Sequence, residues 1–220
     1  MPSIHYDIAH MLGAVVLLMS FALLYQRRLS SIIQVFAAQS TVLAAAAAWQ
    51  GYIQDAPHLY ITALLALSMK AIVIPVALNR VIQKLRIERT VDTALGVGPT
   101  MIAGVSLVTL SILLVLPVTP DVTALTREDL ALALSVVLLG LLTMITRRNA
   151  IGQVIGFMSL ENGLILAAIG VEGMPLIVEM LVAFAVMVAF IIFGIFFFHI
   201  RERFDTLDLR TLEDFRGERR

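Results

Sequence analysis

Seven apolar stretches, each about 20 residues long, dominate this sequence and leave little alternative to helices that cross a membrane. They run roughly over residues 8–25, 30–49, 59–78, 98–116, 129–146, 149–170 and 176–199. An α-helix needs about 20 apolar residues to span the hydrocarbon core of a bilayer. Of the 220 residues, 60% are hydrophobic and only 15% are charged, unlike the composition of a soluble domain. We therefore predict an all-α, polytopic integral membrane protein with seven transmembrane helices.

The basic residues occur almost entirely in alternate links between these stretches. Fourteen of the 16 lysines and arginines lie in the segments 27–28, 80–89, 147–148 and 201–220, and the other two are Arg127 and Lys70. Cytoplasmic loops of membrane proteins carry the excess of lysine and arginine. The distribution predicts an N-terminus outside the membrane and a C-terminus in the cytoplasm.

Several kinds of site have no support in the sequence. Cysteine is absent, which excludes disulfides, thiolate zinc sites and iron–sulfur clusters in this chain. The four histidines, at positions 5, 10, 58 and 199, show no metal-ligand spacing. No phosphate-binding loop, dinucleotide fingerprint or nucleophile elbow is present. We expect no catalytic site, metal or cofactor in this chain, and no nucleic-acid partner.

One carboxylate, Glu161, stands in the middle of the sixth stretch, in IGQVIGFMSLENGLILAA. A charged side chain at that depth costs roughly 2.5–3.5 kcal/mol to insert, so the acid must face protein or water. Desolvation disfavours the charged carboxylate, and a carboxyl group that exchanges a proton suits a relay. Asn162, Ser159 and Gln153 are close enough along the helix to hydrogen-bond the acid or a water beside it. The alternative is a protonated structural carboxyl bonded across helices.

Lys70 is the second intramembrane charge, deep in the third stretch, ITALLALSMKAIVIPVAL. Pro75 follows about one turn later and cannot donate a backbone hydrogen bond, so we expect a free carbonyl at Ala71 for water or the ammonium. A buried lysine changes its protonation state readily and suits proton transfer; a salt bridge that serves assembly is the alternative. Glu179, near the outer end of the last stretch, is a candidate for proton exchange, or a hydrated interfacial glutamate.

The links divide the chain into four segments. These are an N-terminal three-helix membrane segment (1–92), a connecting helix with an outer loop (93–128), a second three-helix segment (129–200) and a cytoplasmic tail (201–220). YQRRLSSIIQVFAAQS (25–40) resembles ITRRNAIGQVIGFMS (145–159). This echo predicts two parallel repeats, and chance likeness between apolar helices explains it equally well. Gly152 and Gly156 form a GxxxG pattern, which favours close helix packing.

Two of these stretches resemble parts of a known family. RRNAIGQVIGFMSLENGLILAA (147–168) resembles the second helix of the NuoK-type small subunit of complex I, where an acid followed by asparagine sits in a glycine-containing helix. HIRERFDTLDLRTLEDFRG (199–217) resembles the tail of that subunit, so the likeness covers about residues 130–217. With HLYITALLALSMKAIVIP (58–75) in its first half, the chain is similar to hydrogenase-4 component E, a membrane subunit of nickel–iron hydrogenase and formate hydrogenlyase assemblies.

The resemblance implies a non-catalytic subunit of an oxidoreductase complex, contributing to proton or Na⁺ translocation coupled to electron transfer elsewhere. It implies antiporter-like and other membrane subunits, a peripheral hydrogenase arm and lipids as partners. A Ni–Fe centre and iron–sulfur clusters would lie in those partners, and the location would be the cytoplasmic (inner) membrane of a prokaryote. Glu161 matches the acid of the family's second helix. The family's other glutamate falls near residues 187–190, which are apolar here, so Lys70 or a neighbouring subunit would complete the relay.

Three other functions are compatible with the sequence. A small subunit of a multisubunit cation/proton antiporter shares the second three-helix segment, although the extra N-terminal spans and Lys70 argue against it. A freestanding transporter is suggested by the repeat, but it would need broken helices near the midplane. In a structural membrane scaffold, Glu161 and Lys70 would serve assembly alone.

Overall fold

The computed structural model describes residues 2–85, 95–118 and 124–170 of this chain, and this part consists of helices joined by short links. The helices are α1 (Pro2–Tyr25), α2 (Leu29–Ile53), α3 (Pro57–Leu65), a π-helical segment (Ala66–Val73), α4 (Ile74–Leu85), α5 (Val97–Val118), α6 (Ala124–Thr146) and α7 (Ala150–Gly170). All of them belong to one compact unit, Met1–Glu179; a second unit, Met180–Arg220, lies outside the described residues. The all-α prediction is confirmed for the described residues.

Six helical stretches are long and apolar enough to cross a membrane. They are Ile4–Tyr25, Leu29–Ile53, Pro57–Gln83, Val97–Val115, Glu128–Thr146 and Ala150–Gly170. Each overlaps one of the first six predicted spans, which supports a multi-pass membrane protein. The seventh predicted span (176–199) and the tail (201–220) lie outside the described residues. The orientation of the chain across the membrane stays a prediction.

The third span is not a continuous α-helix. Between α3 and α4 the chain forms π-helical turns, and the N–H of Ile74 bonds the carbonyl of Met69, five residues back. Pro75 comes next and has no N–H. In this register the carbonyl that loses its helical donor is that of Lys70, whereas an α-helical register predicts Ala71. π-Helical turns inside helices are frequent at functional sites, and this one contains the buried Lys70.

Four helices form a closed ring at the centre of the bundle. α1 packs against α2 and α6, and α7 packs against the same two helices. α5 lies on α6 and α1, and the three pieces of the third span lie on α2. The predicted N-terminal three-helix segment therefore shares its core with α6 and α7. The helices that the predicted repeat would equate, α1 with α6 and α2 with α7, are neighbours in this ring.

α6 and α7 approach each other closely at three glycines, Gly140, Gly156 and Gly163. A Cβ atom on Gly156 would lie 2.6 Å from the backbone nitrogen of Met144. A Cβ atom on Gly163 would lie 2.7 Å from the backbone nitrogen of Val137. Small residues allow helix backbones in membranes to come this close, so one glycine of the GxxxG pattern lies in a helix–helix contact.

The short link between α6 and α7 ties together two helix ends. The Oδ1 of Asn149 accepts the N–H of Gly152 at 2.6 Å and caps α7, so Gly152 serves this turn. Arg147 is only 1% exposed, and its Nη2 donates to the carbonyls of Leu23 (2.6 Å) and Leu24 (3.1 Å). Carbonyls in the last turn of a helix lack intrahelical donors. The guanidinium therefore caps the C-terminal end of α1.

Replacing Arg147 by alanine should lower the free energy of unfolding by about 2 kcal/mol, because the end of α1 loses a charged donor. Burial lowers the pKa of Arg147, but a guanidinium stays charged in proteins, so the cap is present at any ordinary pH. The matched control is Arg148→Ala, since Arg148 is exposed and such substitutions change stability by about 0.5 kcal/mol or less. Thermal unfolding in detergent, followed by circular dichroism, compares the two variants; equal midpoints would contradict the cap.

Candidate functional site

A group of buried polar side chains meets inside the bundle, and we call it the polar cluster. Its members are Ser20 of α1, Gln39 and Ser40 of α2, Lys70 of the π-helical segment, and Ser159, Glu161 and Asn162 of α7. Each of these residues, backbone included, is 4% exposed or less. Burying polar groups is unfavourable unless they bond to one another, so their mutual contacts decide what the cluster can do.

Lys70 and Glu161 form an ion pair within the polar cluster. Lys70 Nζ lies 3.1 Å from Glu161 Oε2, and the two side chains are 4% and 6% exposed. The contact is an ion pair, and Oε2 has no hydrogen-bond donor among the described residues. The hydrogen bond of Nζ goes instead to Asn162 Oδ1, at 3.0 Å. The lysine is thus held by a charge on one side and an amide on the other.

Asn162 connects the ion pair to α2 and α1. Its Nδ2 donates to Gln39 Oε1 and to Ser40 Oγ, both at 3.2 Å. Gln39 Nε2 in turn donates to Ser20 Oγ at 2.8 Å and to Ser159 Oγ at 3.0 Å. A chain of hydrogen bonds therefore runs from the ion pair through the ring to α1.

The structure brings four of the six predicted site residues together, namely Glu161, Lys70, Asn162 and Ser159. Gln153 does not join them: it is exposed, and its Nε2 donates to the carbonyl of Arg147 at 3.1 Å. It therefore belongs to the turn before α7. Glu179 lies outside the described residues. The pairing of Lys70 with Glu161, which no spacing in the sequence indicates, is the main addition of the structure.

Three members of the polar cluster, Gln39, Ser40 and Ser20, were not predicted from the sequence. A signal for the first two exists, because a Gln–Ser pair stands inside a span in VFAAQSTVLAA and polar groups within a membrane need partners. The pattern there points first to the internal repeat, whose serines, Ser40 and Ser159, both lie in the polar cluster. Ser20 offers no comparable signal, since its hydroxyl also bonds the carbonyl of Val16, one turn back, at 3.1 Å.

The polar cluster combines groups that carry protons with groups that hold them in line. Lys70 and Glu161 can take up or release a proton, and the amides and hydroxyls of the other members donate and accept hydrogen bonds. In residues 2–85, 95–118 and 124–170, no group of three or more histidine, aspartate or glutamate side chains is placed to hold a metal ion. The arrangement is suited to proton transfer inside a membrane bundle.

Comparison with known proteins indicates one distant relative. The chain is 27% identical, over 201 residues, to the uncharacterized protein Rv0085 of Mycobacterium tuberculosis, and this likeness covers 90% of the chain and 91% of the relative. The sequence matches no model of a known protein family. No solved structure matches it either. The likeness extends over nearly the full length of both chains, and it assigns no activity to the site.

Proposed function

We propose that this protein is a membrane subunit of an energy-converting hydrogenase or formate hydrogenlyase type of assembly, related to complex I. In that role it contributes to proton (or Na⁺) translocation while other subunits transfer electrons. The observation that carries the proposal is the buried Lys70–Glu161 ion pair, with its hydrogen-bond chain across α7, α2 and α1. The resemblance of residues 147–168 and 199–217 to the complex I subunit supplies the type of assembly.

A buried ion pair of this kind has two forms that interconvert by one proton. Burying two charges is unfavourable, and their attraction offsets this only when geometry and hydrogen bonds are good. Transfer of a proton from the Lys70 ammonium to the Glu161 carboxylate leaves a neutral amine and a neutral acid, which avoids the penalty. Asn162 keeps its bond to the nitrogen in both forms, because the amine retains N–H donors. A nearby charge or water then decides which form is favoured, as a relay requires.

The π-helical segment gives the lysine a means of moving. Its hydrogen bonds are five residues apart, and the proline that follows leaves the carbonyl of Lys70 without its helical donor. Helices bend at such points, where a water can insert into the backbone ladder. A change there would lengthen the 3.1 Å contact between Lys70 and Glu161 and separate the two proton-carrying groups.

A structural scaffold is the second candidate function. It is favoured by the full burial of Gln39 and Asn162 and by their hydrogen bonds, which join α1, α2, α7 and the π-helical segment. These bonds would hold helices together without any proton movement. A small antiporter subunit would use the same relay and differ in its partners. The partners that co-purify with the chain separate these assemblies, and a chain isolated alone would contradict both complex-subunit proposals.

Replacing Glu161 by glutamine should reduce the protons moved per electron by roughly tenfold or more, because a positioned acid–base group typically contributes at least about 10² to proton transfer. Glutamine keeps an acceptor beside Lys70, so we expect the complex to assemble. The measurement uses the purified complex in vesicles, with a pH-sensitive dye and electron transfer recorded in parallel. Repeating it with and without Na⁺ identifies the ion.

The matched control is Asp7→Asn, which removes an exposed carboxylate on α1 and should leave pumping unchanged. A Glu161→Gln complex that assembles and pumps like the unaltered one would remove the relay and leave the scaffold. If that variant does not assemble, the doubly neutral variant Lys70→Met/Glu161→Met provides the same readout, because it leaves no unpaired charge.

A further inference from the structure

We infer that His10 and Asp129 form the site where this bundle exchanges protons with water, at the membrane face from which α1 starts, and that a water-sized cavity leads from them toward the polar cluster. The inference rests on the proposed function, because it concerns the path to Lys70 and Glu161. It adds two residues to which neither the sequence motifs nor the family resemblance assigns a role.

His10 of α1 and Asp129 of α6 meet in the wall of the ring. His10 Nδ1 lies 3.0 Å from Asp129 Oδ1, and the exposed Glu128 places its Oε2 3.8 Å from His10 Nε2. The side chains of His10 and Asp129 are 37% and 23% exposed. This acid–base pair is therefore in reach of water, although Asp129 is set deeper in the bundle than Glu128.

Asp129 also lines a cavity of about 10 Å³ that residues from all four helices of the ring enclose. That volume is about the smallest that holds one water molecule, and such a water needs at least two polar partners. Asp129 and Gln50 provide them. The small residues Gly13 and Ala46 leave the space open. The cavity thus lies beside a titratable group, between the four helices of the ring.

The cavity and the polar cluster lie along the same helix faces. Leu166, which lines the cavity, is one turn beyond Asn162 on α7, and Ala46 is two turns beyond Gln39 on α2. Residues four or seven apart share a face of a helix. At about 1.5 Å per residue, the separation between cavity and cluster is roughly 6–10 Å along these axes.

A short apolar layer fills this separation. On α1, Val16 stands between Gly13 and Ser20. On α2, Leu43 stands between Gln39 and Ala46. Val16 and Leu43 are both fully buried. Such a layer stops free leakage of protons, because a proton crosses it only when water enters transiently. From the surface inward, the ring therefore contains the His10–Asp129 pair, which we call the mouth, then the water-sized cavity, the apolar layer and the polar cluster.

The Asp129 carboxylate accepts a proton from a hydronium ion at the surface, which becomes water. It then gives this proton to a water in the cavity, which becomes hydronium, and Asp129 returns to its charged form. In the reverse direction, the same two transfers release a proton to the surface. His10 is the positioning residue: its Nδ1 lies 3.0 Å from Asp129 Oδ1, and in the tautomer with hydrogen on Nδ1 it donates to the ionised carboxylate.

Asp129→Asn should lower the protons moved per electron by about tenfold, while electron transfer and assembly persist. His10→Gln should lower the protons moved per electron by less. Asp129→Glu should keep most of the pumping, because it retains a carboxyl group. A merely structural hydrogen bond between α1 and α6 would need no titratable group, so Asp129→Asn would then pump normally. Gly13→Ala leaves every titratable group in place, and its Cβ atom would lie 3.4 Å from Leu132 Cδ1, in the space that the cavity occupies. It should lower pumping as Asp129→Asn does. His58→Gln is the control, since His58 belongs to α3, away from the cavity.

The outcomes separate this inference from the proposed function. If Glu161→Gln abolishes pumping while Asp129→Asn and Gly13→Ala pump normally, the mouth lies elsewhere and the proposed function stands. If Glu161→Gln pumps normally, the relay and this path to it both fail. Loss of pumping in Asp129→Asn and Gly13→Ala, with rescue by Asp129→Glu, supports the inference. If only Asp129→Asn fails to assemble, Gly13→Ala decides: reduced pumping supports the inference, and normal pumping contradicts it.

Discussion

Replacing Lys70 alone by methionine should destabilise the protein by about 3–5 kcal/mol, and replacing Glu161 alone by methionine, which leaves no acceptor beside Lys70, should do so by a similar amount. Replacing both by methionine should return most of that stability. The reason is that the two side chains are almost fully buried and 3.1 Å apart, so either single change leaves an uncompensated charge in an apolar bundle.

The double variant should still fall short of the unaltered protein by about 1–2 kcal/mol. Asn162 Oδ1 accepts the hydrogen bond of Lys70 Nζ and would lose its donor. Its Nδ2 bonds to Gln39 and Ser40 would remain. A further change of Asn162 to leucine in the double variant should not recover the difference, because it would leave the Gln39 carbonyl oxygen without its donor.

The measurement is a double-mutant cycle of unfolding free energies in mixed detergent micelles, with titration by a denaturing detergent. A coupling energy of at least about 4 kcal/mol between the two positions is expected, because the single changes together cost about 6–10 kcal/mol and the double variant only about 1–2 kcal/mol. Additive effects of the two substitutions would show that the two charges do not interact, and the ion pair would then support neither the relay nor the scaffold.

How much of this site follows from sequence depends on the free energy of burying each group. A charge deep in a span is so unfavourable that Glu161 and Lys70 stand out without any structure. Gln39 and Ser40 are neutral, so their burial is less conspicuous, although both lie in the polar cluster. The contact between Lys70 and Glu161 could not be predicted, since it depends on how α7 and the third span both pack on α2.

The helices, like the site, could be predicted from the sequence only in part. Lengths of apolar stretches predicted six helices that the structure describes, because a bilayer fixes the length of a spanning helix. The π-helical register did not follow, since Pro75 alone is compatible with either an α or a π turn before it. Arg147 is a further example: charge counting places it in a cytoplasmic link, and only packing shows that it caps α1.

Alanine at Gly156 or Gly140 should destabilise the bundle by about 3 kcal/mol, the upper part of the range for overpacked interiors. A Cβ atom on Gly156 would lie 2.6 Å from the Met144 nitrogen, and one on Gly140 would lie 2.7 Å from the Leu160 Cα. Both obstacles are backbone atoms, which cannot rotate away as a side chain can. α6 and α7 would have to separate, and every contact along their shared face would loosen.

Gly98→Ala is the matched control, because a Cβ atom on Gly98 of α5 would meet nothing within 4 Å. There, the higher helix propensity of alanine should leave stability unchanged or raised by up to about 1 kcal/mol. Detergent unfolding of the three variants tests the contrast. If Gly156→Ala and Gly98→Ala unfold alike, α6 and α7 are not in backbone contact. The placement of Glu161 and Asn162 opposite α2, which relies on α7 lying against α6, would then lose its support.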